Sequence, residues 1–201
     1  MKQGIEQAWT LLAACDPQDV CERAEAEYSP EEGSFTLRVL GFPVVVDVAA
    51  RAIKLSEQDA EFVLTKLAYF SRLSVLYYLL SSQKLEPTGQ LVKPSELKAG
   101  QIYLKGSHLL PLDQIAVRFS CDPEGFQAQA ARFGGQPRPY GDRAAELRPF
   151  PRVPITLILW VEDDEFPARS YLLFDETCEC QLPPDILWSV AMLCALVMLM
   201  N

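Results

Sequence analysis

Between Trp160 and Cys180 the chain reads WVEDDEFPARSYLLFDETCEC, with seven carboxylates and two cysteines in twenty-one residues. Glu162, Asp163, Asp164 and Glu165 are adjacent. Oxygen ligands of this kind suit a hard divalent cation, and repulsion among neighbouring carboxylates raises some of their pKa values. A metal-dependent enzyme built on Asp163, Asp164 and Glu165 is therefore one reading, and a solvated turn is the plainer one. Cys178-Glu179-Cys180 offers two thiols to a soft metal, but a closed zinc site needs four ligands. The other cysteines, at 15, 21, 121 and 194, are distant in sequence. A strained thiol pair would also be redox-labile; a turn with small, partly buried thiols is the simpler expectation.

The only histidine is His108, in KGSHLLPL. It could serve a haem or corrinoid as an axial ligand. Without a G-x-S-x-G elbow or an H-E-x-x-H pair nearby, it lacks the partners of a hydrolytic site. Tyr140, Phe150, Trp160 and Phe166 lie near prolines, and Arg138, Arg143 and Arg152 lie among them. Together they could line a pocket for a planar or anionic ligand, with Arg138, Tyr140 and Arg152 as its binding groups; they could equally cover a sheet. Gly134, Gly135 and Gly141 do not make a phosphate loop, because no strand precedes them and no Lys-Ser/Thr follows.

The elements that must hold these residues follow from periodicity. ITLILWV and ARSYLLF read as two strands joined through the acidic turn, a hairpin over 155–174. Residues 166–174 then span about 30 Å at roughly 3.3 Å each. The acidic turn and the Asp175-to-Cys180 group therefore sit at opposite ends, too far apart for a two-carboxylate site of about 5–10 Å. The first strand is almost continuously apolar, which predicts a central position covered on both faces.

Upstream, residues 1–28 hold two helices, the second capped by Asp16 with Pro17 at its first position and running to about Glu27. Ser29-Pro30-Glu31-Glu32-Gly33 is turn chemistry. Phe35, Leu37 and Val39 alternate with polar residues, and VVVDV follows, which predicts a hairpin or meander. Ser56-Glu57-Gln58-Asp59 opens a long helix to about Ser82. Residues 86–111 are broken by Pro and Gly, with short strands at 91–92 and 102–104. Helices are expected from Pro111 to Phe119 and from Asp122 to a left-handed cap at Gly134-Gly135. Residues 136–154 read as a Pro-rich connection with an edge strand at most, and 184–200 as an apolar helix. No βαβ rhythm is visible, so the expected class is α+β: one domain, with a mixed or mostly antiparallel sheet against the long helix and the C-terminal helix.

Composition narrows the partners. At 201 residues and 49% hydrophobic, the chain can bury a real core. A net charge of −9 with scattered basic residues disfavours nucleic acid. Leu12-Ala13-Ala14-Cys15 matches a lipoprotein box, but Glu6 and Gln7 interrupt the apolar run a signal peptide needs. The apolar segment 186–200 is shorter than the roughly 20 residues of a membrane span. A cytoplasmic protein with reduced thiols and no membrane partner is expected.

Across VPITLILWVEDDEFPARSYLLFDETCECQLPPD the chain resembles the Domain of Unknown Function 3786 family: an apolar strand with Trp, an acidic Glu-Phe-Pro turn, Leu-Phe-Asp, then Leu-Pro. Phe133-Gly134-Gly135, Gly141-Asp142, Pro151-Arg152-Val153-Pro154 and Tyr77-Tyr78-Leu79-Leu80 fit the same pattern. The family carries no assigned activity. Some relatives resemble fusions to an iron–sulfur domain of corrinoid proteins, which implies a corrinoid- or cofactor-linked anaerobic setting. This chain has no C-x2-C cluster run, and Glu162 stands where relatives carry a small residue. The preferred expectation is a binding or accessory module for an unknown small molecule or protein, with a corrinoid, haem or divalent metal as cofactor candidates. The alternatives are the metal-dependent enzyme and a homodimer formed through the C-terminal helix.

Overall fold

The N-terminal helices form where cap chemistry and apolar spacing agree. Helix α1 (Lys2–Ala13) buries Ala8, Trp9 and Leu12. In helix α2 (Pro17–Ala24) the Asp16 carboxylate accepts from the Gln18 N–H, and Val20 and Ala24 face the core. This helix stops short of the expected Glu27. Glu25 adopts the left-handed conformation, φ 51° and ψ 45°, and its N–H bonds the Cys21 carbonyl. That turn directs the chain into strand β1.

The structure is a computed structural model describing residues 2–55, 68–98, 100 and 109–200, without the side chains of residues 2, 3, 68 and 69. His108, the capping sequence 56–59, the start of the long helix and the short strand at 102–104 lie outside the described residues.

The described strands form two antiparallel sheets rather than one. The first is a meander of β1 (Glu27–Ser29), β2 (Ser34–Val39), β3 (Phe42–Asp47) and β4 (Ala52–Leu55). Phe35, Leu37 and Val39 point inward as their alternation predicts. A two-residue turn, Leu40-Gly41, joins β2 to β3 with φ of 50° and 83°. Positive φ at both positions matches the strand twist of a tight hairpin. Leucine is unusual there; its side chain is fully buried and its N–H bonds the Arg148 carbonyl at 3.1 Å.

The second sheet is built from β5 (Leu91–Val92), β6 (Gln136–Pro137), β7 (Arg143–Phe150), β8 (Val153–Trp160) and β9 (Arg169–Asp175), in the order β5-β9-β8-β7-β6. The hairpin expected over 155–174 is β8 with β9, and β8 is buried along seven of its eight residues. The reading of 136–154 as a connection is corrected: 143–150 is a full strand beside β8. Pro149 is accommodated because the register slips between Leu147 and Phe150, and an irregularity tolerates a residue with no N–H to donate.

The tip of the first hairpin docks on the second sheet. A Cβ on Gly134 would stand 3.2 Å from the Gly41 Cα, and Gly134 itself has φ of 70°. Gly134 thus ends its helix as expected and also permits backbone-to-backbone contact between the two parts of the fold.

The inner face of the second sheet carries Ala145, Leu147, Ile155, Leu157, Leu159, Leu172 and Phe174 into one core. Helices α4 (Leu112–Phe119), α5 (Pro123–Ala131) and α7 (Pro184–Met198) contribute to that core, as do α1, α2 and α3, described over Ala68–Ser81. Tyr78 of α3 stacks on Phe150 of β7, with ring centroids 4.4 Å apart and planes 6° from parallel. Helix α7 buries ten residues within the chain itself. Its apolar surface is largely consumed there, which leaves a dimer through this helix only half-buried positions such as Trp188 and Leu196. No helix among the described residues is long and apolar enough to cross a membrane.

Candidate functional site

Alternation along β7, β8 and β9 turns Glu146, Thr156 and Asp175 to the outer face of the second sheet. Two segments cross this face. Residues 138–141 come from β6, and Gly141 packs so closely that a Cβ there would lie 2.6 Å from Ile158 Cγ2. Residues 87–91 lead into β5 from the other side. A cleft of about 430 Å³ lies between them, with Glu146, Arg148 and Thr156 among its floor residues and Thr88, Arg138 and Tyr140 among its walls.

Glu146 organises the cleft. Its side chain is only 11% exposed, whereas Arg138 and Arg148 are 42% and 52% exposed. Arg138 donates from Nε and Nη2 to Oε2, at 2.9 and 2.5 Å, and Arg148 donates from Nε to Oε1 at 3.0 Å. One buried carboxylate therefore holds two half-exposed guanidinium groups on this side of the cleft, while the second carboxylate of the lining, Asp175, lies buried on the opposite wall. Tyr140, 41% exposed, supplies an aromatic surface beside them.

Asp175 fixes the opposite wall. It is buried, its Oδ2 accepts from the Gly89 N–H at 2.7 Å, and its Oδ1 accepts from the Thr88 and Thr177 N–H groups and the Thr177 hydroxyl. The carboxylate ties the 87–91 segment to the end of β9, so both walls are ordered before any ligand arrives.

Of the three groups expected to form a binding pocket, Arg138 and Tyr140 meet in this cleft, but Arg152 does not line it. Arg152 is buried, with its side chain 5% exposed. It donates to the Arg23 carbonyl at 2.9 Å, pairs with Glu25 at 3.2 Å and bonds Glu86. Its backbone N–H donates to the Tyr78 hydroxyl, which in turn donates to the Ala24 carbonyl. Burial pushes the Tyr78 hydroxyl pKa up, so it stays a neutral donor. Arg152 joins α2, α3 and the β7–β8 turn. Phe150 also belongs to the core, and Arg143 pairs with Glu124 at the surface.

The acidic turn lies at the far end of the hairpin, and Glu162, Asp163, Asp164 and Glu165 are all exposed. Asp163 Oδ1 accepts the N–H groups of Glu165 and Phe166 at 2.9 and 2.7 Å. These bonds, the Glu165 N–H first, hold its pKa below the usual carboxylate value. The residue shapes its own turn. Among the described residues, no group of three His, Cys, Asp or Glu side chains is arranged to hold a metal.

Cys178 and Cys180 fall in a short helix, α6 (Cys178–Gln181), not in the expected turn. Residues two apart on a helix point to different sides. Cys178 is buried and Cys180 exposed, which separates the thiols. Burial, then Glu179, pushes the Cys178 thiol up to about 12.

Sequence reasoning misses Glu146 and Arg148, because the prolines make 136–154 read as a connection. The signal was present: in RAAELRPF they stand two apart, and two residues apart on a strand means one face.

Comparison with known proteins identifies the family of the chain. No curated protein and no solved structure matches it. The family model described as Domain of unknown function (DUF3786) matches residues 16–197, from the cap of α2 nearly to the end of α7. The chain belongs to this family.

Proposed function

We propose that the chain is a binding module whose outer-face cleft takes a small molecule bearing a carboxylate or phosphate next to a flat, apolar portion. The observation that carries this reading is the Arg138–Glu146–Arg148 clamp. Ordering long side chains is a main cost of binding, and here a buried carboxylate has already ordered two guanidiniums. Guanidinium groups match carboxylate and phosphate oxygens in a planar fork. Tyr140 offers a face to the flat part of the ligand.

Cofactors bearing carboxylates or phosphates, including the corrinoid implied by the family resemblance and the haem considered for His108, fall within this class. An absorption spectrum of protein purified without oxygen reads either one directly. Calorimetric titration with phenyl phosphate and benzoate tests the broader reading. Binding that weakens about tenfold in Arg148→Gln, and less in Tyr140→Phe than in Tyr140→Ala, is the expected result. No heat of binding from either anion, or affinity indifferent to Arg148, would sink it.

A further inference from the structure

A second pocket, of about 610 Å³, lies in the corner where the two sheets meet. Glu27 pairs across the ladder with Thr36, and Arg38 follows two residues along β2, so all three share one face of the first sheet. Glu25 and Arg148 close the pocket from α2 and β7, with Gly41 and Gly134 at the joint.

The pocket is lined by two acids and two arginines, yet among the described residues its acids do not pair with its arginines. Glu25 turns to Arg152 at 3.2 Å, Arg38 donates to the Gly41 carbonyl at 2.8 Å, and Arg148 donates to Glu146. Opposite charges thus share one concavity without neutralising one another. Such an arrangement suits a ligand that carries both signs.

Backbone strain gathers at the same place. Glu25, Leu40 and Arg51 are the non-glycine residues with positive φ among those described, and the first two belong to this corner. Glu25 lines the pocket, and Leu40 precedes the lining Gly41. A left-handed backbone is unfavourable for any residue with a Cβ and persists only where neighbours enforce it. Here Arg152 holds the Glu25 side chain, and the Arg148 carbonyl holds the Leu40 N–H. Both enforced residues shape the pocket wall.

We infer that this pocket binds a small zwitterion of the amino-acid or short-peptide class, with its ammonium toward Glu25 and Glu27 and its carboxylate toward Arg38 and Arg148. The site is separate from the outer-face cleft, and among the described residues only Arg148 lines both.

The test is an amide-resolved NMR titration of the full chain with an unblocked alanine dipeptide, its N-acetyl form and its C-terminal amide. Expected are saturable shifts at residues 25–27 and 36–38, with each blocked form binding about tenfold more weakly. Glu27→Gln should weaken the free dipeptide but leave the N-acetyl form unchanged, and Arg38→Gln should leave the amide form unchanged. Both positions are exposed, so the variants keep the fold, which the same spectra verify. Equal binding of free and blocked peptides, shifts confined to other residues, or no saturable shift would each overturn the assignment.

Discussion

Two arginine–carboxylate groups in this chain are built as mirror images. At Arg152 the cation is buried, 5% exposed, and its carboxylates reach it from solvent, with Glu25 at 45% and Glu86 at 77%. At Glu146 the anion is buried, 11% exposed, and the arginines are the exposed members. The buried member sets the role. A buried guanidinium with carbonyl acceptors on α2 locks segments together. A buried carboxylate beneath two guanidinium groups presents fixed positive charge to a cleft. Counting ion pairs would score the two groups alike.

The sharpest way to break this contrast is to remove the buried member of each group. Arg152→Ala strips the Arg23 carbonyl of its partner and leaves Glu25 and Glu86 without their shared cation, so a loss of about 3 kcal/mol is expected in denaturant unfolding. Arg152→Lys should recover little of it, because one ammonium cannot reach all the acceptors. At the joint between the regions, Gly134→Ala adds a Cβ at φ of 70° and 3.2 Å from Gly41. A loss of about 2 kcal/mol is expected, with β2–β3 hairpin amides exchanging faster. Glu146→Gln should cost only about 1 kcal/mol, since two half-exposed guanidinium groups can rehydrate. Its main effect should fall on anion binding at the cleft. Equal stability losses for Arg152→Ala and Glu146→Gln would dissolve the comparison.

The smallest effects concern thiols, where burial again separates two neighbours. Iodoacetamide mapping by mass spectrometry should label Cys180 and Cys121 in the folded chain, and Cys178 and Cys194 only after unfolding. The Cys178 thiol has a raised pKa in the folded state. Its contribution is therefore complete below its ordinary value near 9 and is lost as pH rises toward about 12. Melting temperature should fall across that window, and less steeply in Cys178→Ala. Cys194, Tyr78 and Cys21, also raised by burial, contribute to the fall that remains.

Much of the fold was legible because its signals are local. The Asp16-Pro17 cap, the alternation of Phe35, Leu37 and Val39, the apolar run of β8 and the Gly134 terminator act within a few residues, and each lies where its chemistry places it. The strand at 143–150 was hidden by Pro149 and the prolines that flank it, since local preference could not show that a register slip beside β8 would absorb Pro149. The site was legible only in part. Arg138 and Tyr140 could be paired by type, but Arg152, equally cationic and equally near proline, went to the interior.

By itself, then, the sequence determined the α+β class, the family, the hairpin that separates the acidic turn from the cysteines, and a net charge of −9. The tertiary structure decided which charges are buried. It split the strands into two sheets, placed Glu146 under Arg138 and Arg148, sent the Arg152 guanidinium to the Arg23 carbonyl, and divided Cys178 from Cys180. Burial depends on what packs from distant parts of the chain, and the strength of a charge depends on its burial. Residue type sets which interactions a side chain can make, and long-range packing selects the one it makes.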